Sequence, residues 1–347
     1  MENLAEESPC KPDCLFLSMP CLVTVNQWLK YNCQMPSRYV DLNEAVLRLQ
    51  KKKHIDPAII VVTPNGTKSI GPIDQRWEIG SITKVFTALL MAQLQQTGHI
   101  SITDSVYSFL PKTLGLPKNF EKITFENLAT HQSGLPRLPS GMKLFGKGVM
   151  VDPYSEFNEE RILRAIQETK LKSIPGAGRP RYSNYGYGLL GFTLEKVTGK
   201  TYEDMLMQEI IAPIGLSSTM FTDEGLRQGH SRKKEVGPWH MGRFASMGGL
   251  RISASDLSKL LIASQDKLHP LAPAFNETFN IRYQDKRTAI GLGWHYLKDQ
   301  KVVGHSGGTL GARTESWINL ESKTHVIVFG DGNPGTMKTA LSLLKQH

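Results

Sequence analysis

Residues 77–94 read WEIGSITKVFTALLMAQL, and we expect the rest of the chain to be arranged around this stretch. From Val85 onward the segment is apolar on nearly all sides, which predicts a buried helix rather than a helix on the surface. Ser81 and Lys84 lie three residues apart at its start and therefore face the same way. A hydroxyl and an amine are costly to bury unless each has a partner. Nucleophilic catalysis is the best explanation for such a pair.

The composition indicates a large apolar core and a basic surface. The chain has 347 residues and a formal net charge of +9, with tight basic runs only at residues 51–53 and 232–234. Such runs indicate either a solvated face or attraction to an anionic partner, and we favour the solvated face. Because neither run is interleaved with aromatic residues, no nucleic acid partner is predicted. No run of about 18 apolar residues occurs, so no transmembrane segment is predicted.

Residues 1–38 differ from the rest and are expected to form a poorly ordered extension. All four cysteines lie here, at Cys10, Cys14, Cys21 and Cys33, so the main fold is not expected to depend on disulfides. A zinc site at Cys10 and Cys14 is disfavoured because no histidine follows before His54; neither a metal nor another cofactor is expected. The acidic start is unlike a secretory signal, which slightly favours a cytoplasmic location over export and leaves the compartment open.

The order of the predicted elements indicates one sheet with a helical insertion. Strand patterns occur at residues 58–62, 248–252, 291–297, 301–305, 312–320 and 325–329, and a turn at 64–66 leads to a further short strand. Helical patterns occur at residues 41–53, 85–94, 125–130, 159–169, 185–197, 254–264 and 335–344. Strands near both ends predict an α+β fold (an α/β sandwich), whose antiparallel sheet is flanked by N- and C-terminal helices and carries an inserted all-helical region. We assign one domain to residues 39–347, with the sheet region at 39–76 and 237–347 and the helical region at 77–236.

The S-x-x-K pattern at Ser81 is distinguished by its surroundings. The chain contains six such patterns, and only this one combines a preceding glycine with a buried helix. The positive end of a helix favours an anion and disfavours a charged lysine. A lysine held neutral there can take the proton from Ser81.

A second pattern joins Tyr182 to Asn184. Among ten tyrosines, only Tyr182 is followed by asparagine two residues later. A phenol beside a cationic lysine ionises more easily and passes protons, and the Asn184 amide both donates and accepts hydrogen bonds. The alternative is a tyrosine packed at a junction between loop and helix, with Asn184 as the N-cap.

The third pattern is His305-Ser306-Gly307-Gly308. An H-x-G triplet also occurs at His240, but only the copy at His305 follows a predicted strand and precedes another glycine. Glycines on an edge strand let a substrate backbone approach and pair with it.

A competing motif covers the same segment. Residues 304–308 match G-x-S-x-G, with Ser306 as the nucleophile of a strand-to-helix elbow. The elbow requires a helix directly after the serine, whereas residues 312–320 have a strand pattern. A trypsin-like serine site requires two β-barrels, and the middle of this chain is predicted to be helical. Both interpretations are therefore disfavoured.

The three patterns in this order resemble the serine β-lactamase and penicillin-binding-protein superfamily. Their detail is similar to its branch of class C β-lactamases, DD-peptidases and esterases. Flanking segments at residues 128–136, 213–216 and 248–250 agree, and the resemblance covers about residues 40–345. It implies a β-lactamase/transpeptidase-like fold in which a sheet region and a helical region enclose the site, so residues 39–347 are expected to be a β-lactamase-related serine hydrolase domain.

The same resemblance implies a role for each residue of the three patterns. Ser81 would be acylated, Lys84 would activate it, and Tyr182 would relay protons to the leaving group and later activate water. Asn184 would orient Lys84 and the acyl side chain, and His305, Gly307 and Gly308 would bind substrate. The backbone N–H groups of Ser81 and Gly308 would form the oxyanion hole.

One departure from the family bears on the substrate. Efficient β-lactamases of this branch carry K-T-G where this chain has His305-Ser306-Gly307, and a histidine is largely neutral at pH 7. H-x-G is similar to DD-peptidases, D-amino-acid peptidases and esterases. We therefore expect a serine hydrolase acting through an acyl-enzyme on a small molecule or peptide, with β-lactams, cell-wall-derived D-Ala-D-Ala peptides and small esters as candidates.

Two other functions stay open at this stage. One is a penicillin-binding sensor that is acylated without turnover, and the other is a non-catalytic, polymer-forming scaffold. The intact set of Ser81, Lys84 and Tyr182 argues against the scaffold, which has no need of it. The natural substrate and the oligomeric state are not predicted.

Overall fold

The computed structural model describes residues 41–116, 118–140, 142 and 152–346. The predicted extension at residues 1–38, with its four cysteines, lies outside these ranges. Within them, no helix has the length and hydropathy that a membrane span requires.

One antiparallel sheet of eight strands organises the fold. Its strand order is β2-β1-β12-β11-β10-β9-β8-β7. The strands are β1 (Ala58–Thr63), β2 (Gly66–Ile70), β7 (Tyr283–Gln284), β8 (Ala289–Ile290), β9 (His295–Tyr296), β10 (Val302–Gly308), β11 (Ala312–Asn319) and β12 (Thr324–Asp331). The early strand β1 pairs with the late strand β12. The predicted fold, in which both ends of the chain complete one antiparallel sheet, is confirmed.

Helices cover the centre of this sheet. All eight positions of β12 are buried, which requires cover on both of its faces. Helix α11 (Thr336–Leu344) packs on β11 and β12 and contacts α1 (Leu42–Lys51), whereas α9 (Ala254–Ala263) packs on β1 and β12. These helices bury the central strands of the sheet and form the core with them.

The remaining elements lie mostly between β2 and β7. Helix α2 (Thr83–Gln96) follows a 3-10 turn at Gly80–Ile82 and is almost entirely buried, as predicted. The other helices are α3 (Phe125–Ala129), α4 (Glu159–Glu168), α5 (Asn184–Thr198), α6 (Tyr202–Leu206), α7 (Ala212–Ile214), α8 (Ala245–Gly248) and α10 (Ala272–Phe279). Strand β3 (Arg76–Glu78) pairs with β6 (Arg251–Ser253), and β4 (Gly229–Ser231) pairs with β5 (Lys234–Val236).

Two predicted strands are wrong in extent. The pattern at residues 248–252 yields only β6, because α8 continues to Gly248. The pattern at 291–297 yields only β9, because Gly293 has φ +74° and turns the chain onto α2. A Cβ on Gly293 would lie 2.8 Å from the carbonyl oxygen of Lys84. Contact with the buried helix therefore overrides the local strand propensity.

Two glycines of α5 determine how closely α8 approaches. A Cβ on Gly188 would overlap the ring of Phe244, and a Cβ on Gly191 would overlap Ser246. The hydroxyl of Ser246 donates to the carbonyl of Tyr187 at 2.8 Å. This close packing brings backbone carbonyls of α8 against the buried start of α2.

Candidate active site

Ser81 and Lys84 are hydrogen-bonded neighbours at the start of α2. Lys84 Nζ lies 3.0 Å from Ser81 Oγ and donates to the carbonyl of Met247 at 2.5 Å. The Lys84 side chain is fully buried, whereas Ser81 is half-buried. The tight turn before α2 therefore places a reachable hydroxyl against an amine that water does not reach.

Burial makes the Lys84 ammonium group easier to deprotonate. Burial lowers the pKa of Lys84 well below its ordinary value, and the positive charge of Arg137 lowers it further. In the parts of the chain that the structure describes, no carboxylate forms an ion pair with Lys84. A buried ammonium without a counter-charge is disfavoured, so the neutral amine is more accessible here than on a surface lysine. Such an amine can accept the Ser81 proton.

Two glycines bring β10 against the Ser81 turn. Gly80 has φ +48°, and a Cβ there would lie 2.6 Å from the Gly308 nitrogen. A Cβ on Gly307 would overlap the Ile79 carbonyl oxygen. The strand therefore touches the turn backbone to backbone, and the Gly308 nitrogen lies against the residue that precedes Ser81.

Tyr182 joins this pair as a neutral phenol. Burial raises the pKa of Tyr182 to about 12, while a hydrogen bond with Ser81 and the charge of Arg137 act in the opposite direction. Lys84 Nζ lies 5.1 Å from the centre of the Tyr182 ring. The predicted easier ionisation of a phenol beside a cationic lysine is wrong for Tyr182, because burial disfavours the charge on both groups. Tyr182 can still donate its proton.

Asn184 is at the site but has a different partner from the one expected. Its Nδ2 donates to Tyr154 Oη at 3.2 Å, and its buried Oδ1 has no partner. No hydrogen bond joins Asn184 to Lys84 in the described ranges. The N-cap of α5 is Ser183, whose hydroxyl accepts from the Gly186 amide at 2.8 Å, so the alternative role of Asn184 as the N-cap is wrong.

His305 presents a lone pair to the site. Its Nδ1 lies 2.7 Å from the Ser306 carbonyl oxygen, which only accepts, so Nδ1 carries the proton. Its Nε2 is buried without a partner. Burial lowers the pKa of His305 well below its ordinary value, with His295 and Lys84 adding to the effect. A neutral imidazole with a free acceptor can receive a substrate N–H or O–H.

Three further residues surround Tyr182 and were not predicted. The His131 ring packs against Tyr182 at a tilt, with 4.4 Å between ring centres, and His295 lies 4.9 Å from the His305 ring. The Arg137 guanidinium carbon lies 5.1 Å from the Tyr182 ring centre. His131 is in a flanking segment of the family resemblance, but no local pattern distinguishes His295 or Arg137. His295 lies in β9 and Arg137 in the loop after α3, both far from Tyr182 along the chain.

The competing G-x-S-x-G motif does not form a strand-to-helix elbow, because the strand β11 follows it. Ser306 lies within β10, and its hydroxyl donates to Glu315 Oε2 at 2.6 Å rather than to a histidine. The other H-x-G triplet is also remote from this chemistry. His240 bridges Asp152 and Asp223 on a half-exposed part of the surface.

The sequence profile of the Beta-lactamase family matches residues 50–344 of this chain. The chain belongs to the Beta-lactamase family. The general chemistry of this family is hydrolysis by a serine nucleophile.

Individual relatives agree with this assignment. The D-alanyl-D-alanine-carboxypeptidase/endopeptidase AmpH of Escherichia coli K12 is 26% identical to this chain. The match covers 68% of this chain and 66% of AmpH. Beta-lactamase-like protein 4 of Dictyostelium discoideum is 33% identical over 55% of the chain and 36% of its own length. The chain thus spans less than two thirds of the length of these relatives. The D-alanine carboxypeptidase AmpC of Burkholderia cenocepacia has the same fold, with a TM-score of 0.74, 19% identity, and coverage of 88% of this chain and 97% of its own.

Proposed function

We propose that this protein is a serine hydrolase that acts through an acyl-enzyme on an amide or ester. The observation that carries the proposal is the 3.0 Å contact between Ser81 Oγ and the fully buried Lys84 Nζ. A nucleophile within hydrogen-bond reach of a base is the arrangement that covalent catalysis requires. Family membership supports the same chemistry.

Acylation follows from this geometry. Ser81 Oγ bonds to the substrate carbonyl carbon while its proton passes to Lys84 Nζ. The carbonyl electron pair moves to the oxygen, where the amides of Ser81 and Gly308 donate to the negative charge. When the intermediate collapses, the leaving amine or alcohol departs with a proton from Tyr182. Lys84 then returns a proton to Tyr182, and each group regains its starting state.

Deacylation repeats these steps with water. A water molecule attacks the acyl carbon and gives up a proton to Lys84. Tyr182 then reprotonates Ser81 Oγ as the carboxylic acid leaves. Because the pKa of Tyr182 is raised to about 12, the phenol is a proton donor at the outset rather than a resident base. Lys84 is therefore assigned as the group that first takes the Ser81 proton.

The substrate proposal is a carboxyl derivative of a small molecule or peptide. The neutral His305 stands where strong β-lactamases of this branch have a permanent cation, which disfavours efficient β-lactam turnover. The free Nε2 of His305 favours a substrate with an N–H or O–H donor, as a peptide has. Similarity to a D-alanyl-D-alanine-carboxypeptidase/endopeptidase supports peptides over simple esters.

Covalent labelling tests this function. A fluorophosphonate probe should label wild type and Ser306→Ala, but should not label Ser81→Ala, with the modified peptide mapped by mass spectrometry. A label on Ser306 would overturn the site assignment. In a turnover assay, a stoichiometric burst of product that is not followed by a steady state would instead identify a sensor that is acylated without turnover.

A further inference from the structure

The Arg137 side chain has a buried donor that no described residue uses. Its Nη2 is buried without a hydrogen-bond partner, and no acidic side chain forms an ion pair with it in the part of the chain that the structure describes. A buried donor of a charged group without an acceptor is destabilising. Such an atom is therefore expected to have an acceptor in the working state of the protein.

The position of Arg137 relates it to the reaction centre. Its guanidinium carbon and Lys84 Nζ each lie 5.1 Å from the centre of the Tyr182 ring. Its backbone carbonyl accepts from the amides of Asn184 and Tyr185 at 3.0 and 3.2 Å. These two bonds hold the Arg137 backbone at the start of α5, where Asn184 also has an unpartnered atom, Oδ1.

Other basic side chains near β10 are not equivalent to Arg137. Arg313 uses Nη1 to donate to the carbonyls of Thr309 and Ala312 at 2.7 and 2.9 Å. His305 offers an acceptor rather than a donor, as its Nδ1 proton is held by the Ser306 carbonyl. Lys84 is required as the base. Among the described residues, Arg137 is the permanent cation beside Tyr182 that has an unpartnered donor.

We propose that Arg137 binds a carboxylate of the substrate next to the acylation centre and makes the site selective for carboxylate-bearing acyl donors. A guanidinium pairs with a carboxylate through parallel N–H donors, which gives direction as well as affinity. His305 Nε2 and Asn184 Oδ1 complement it as acceptors for substrate N–H groups. An acidic peptide carries both kinds of group. This inference rests on the proposed function and specifies its substrate class.

Three matched phenyl esters test the proposal. The first has a carboxylate at the end of its acyl chain (glutaryl phenyl ester), and the second is its methyl-capped counterpart. The third carries the carboxylate on the leaving phenol (butyryl 3-carboxyphenyl ester). Wild type should favour at least one carboxylate ester over the capped ester by about 10- to 100-fold in kcat/KM. The ester that is favoured identifies the side of the scissile bond on which Arg137 acts.

Four variants separate Arg137 from its alternatives. Arg137→Gln should remove the preference, and Arg137→Lys should keep part of it. Arg164→Gln removes an exposed arginine and should change nothing. A preference that survives Arg137→Gln and disappears in Arg313→Gln would overturn the proposal, as would a wild type without any preference. Circular dichroism checks that each variant is folded.

A second measurement shows whether Arg137 acts electrostatically. Because its charge helps to lower the pKa of Lys84, Arg137→Gln should raise that pKa. The acidic limb of kcat/KM for the capped ester should then move to higher pH, since Lys84 must be deprotonated to act. A merely structural role would lower the whole profile without this displacement.

Binding without turnover distinguishes this inference from the proposed function. In Ser81→Ala, calorimetry should show tighter binding of the favoured carboxylate ester than of the capped ester, and the additional change Arg137→Gln should abolish the difference. If fluorophosphonate labelling of wild type fails while this difference persists, the acyl chemistry is wrong and the carboxylate site stands. If labelling succeeds and no difference is found, the inference about Arg137 is wrong.

Discussion

Lys84 illustrates how position alone turns a common surface residue into a base. Its amine is fully buried, touches Ser81 Oγ, and donates to the Met247 carbonyl. Desolvation disfavours the ammonium form, and the neighbouring Arg137 adds to the effect. The S-x-x-K pattern indicates which lysine faces the serine, but six such patterns occur in the chain. Burial distinguishes the one at Ser81.

Removing the Lys84 amine should abolish most of the activity. We expect Lys84→Ala to lower kcat/KM for an ester substrate by about 10²- to 10⁴-fold, the usual range for loss of a general base. Lys170→Ala, at an exposed position, is the matched control. A loss of less than about threefold in Lys84→Ala would exclude the assigned role.

His305 illustrates a limit of residue-level prediction. Its type and place in the H-x-G pattern predict a substrate contact without a fixed positive charge. The side of the ring that faces the site depends on the Ser306 carbonyl, which takes the Nδ1 proton and leaves Nε2 as an acceptor. Local backbone geometry therefore determines the hydrogen bond that this histidine can offer.

Strand β10 is the element that completes the site. The sequence predicts a strand with glycines at this place, and the structure shows what the glycines accommodate. A Cβ on Gly307 would overlap both the Ile79 carbonyl oxygen and Thr314 Oγ1, while Thr314 Oγ1 donates to that carbonyl at 3.0 Å. The strand and the Ser81 turn are thus held in direct backbone contact.

Gly307→Ala should damage stability and activity together. The added methyl group forces β10 away from the Ser81 turn, and overpacking of this kind costs about 1–3 kcal/mol in the free energy of unfolding. Because a displacement of about 1 Å can cost about 10²-fold in rate, kcat/KM should fall by at least that factor. Gly237→Ala is the control, since no atom lies within 4 Å of its added Cβ. Equal activity in the two variants would contradict the assigned contact.

At the scale of the molecule, Glu315 links the sheet to its C-terminal helix. It lies in β11 and accepts from Ser306 of β10 at 2.6 Å, from Trp317 at 3.0 Å and from Thr336 of α11 at 3.1 Å. Burial raises the pKa of Glu315 to about 7, against these three hydrogen bonds and the charge of Arg313. The folded protein therefore keeps this acid protonated to a higher pH than the unfolded chain does.

This carboxyl makes the stability of the protein depend on pH. Between its ordinary pKa of about 4.5 and the folded value of about 7, the folded state binds more protons than the unfolded state. The free energy of unfolding should fall as pH rises through this window, by about 3 kcal/mol from this group. Glu315→Gln cannot ionise and should lack that loss.

Denaturant unfolding of both proteins from pH 4.5 to 8 measures the effect. The difference in stability between Glu315→Gln and wild type should shift in favour of the variant as pH rises. Glu321→Gln alters an exposed carboxyl paired with Lys301 and serves as the control. A difference that is constant over this range would show that Glu315 does not titrate in the folded protein.

The sequence determined the fold class, the pairing of the chain's two ends in one antiparallel sheet, and the proximity of Ser81 to Lys84. These features follow from apolar periodicity and from helical spacing, which are local properties. The three motifs resemble one family closely enough to indicate Tyr182 and His305 as well. These motifs are far apart along the chain, so it was their order in a known family, rather than local spacing, that predicted that they lie together.

Only the tertiary structure decided the electrostatic state of the site. The lowered pKa of Lys84 and of His305, the raised pKa of Tyr182 and the unpaired donor of Arg137 all depend on burial by distant segments. Desolvation is a property of the folded environment and has no local sequence signature. For the same reason the sequence predicted easier ionisation of Tyr182, whereas its pKa is raised, and missed Arg137. The residues proposed to carry the reaction can be recognised along the chain, but packing sets the direction of their pKa shifts.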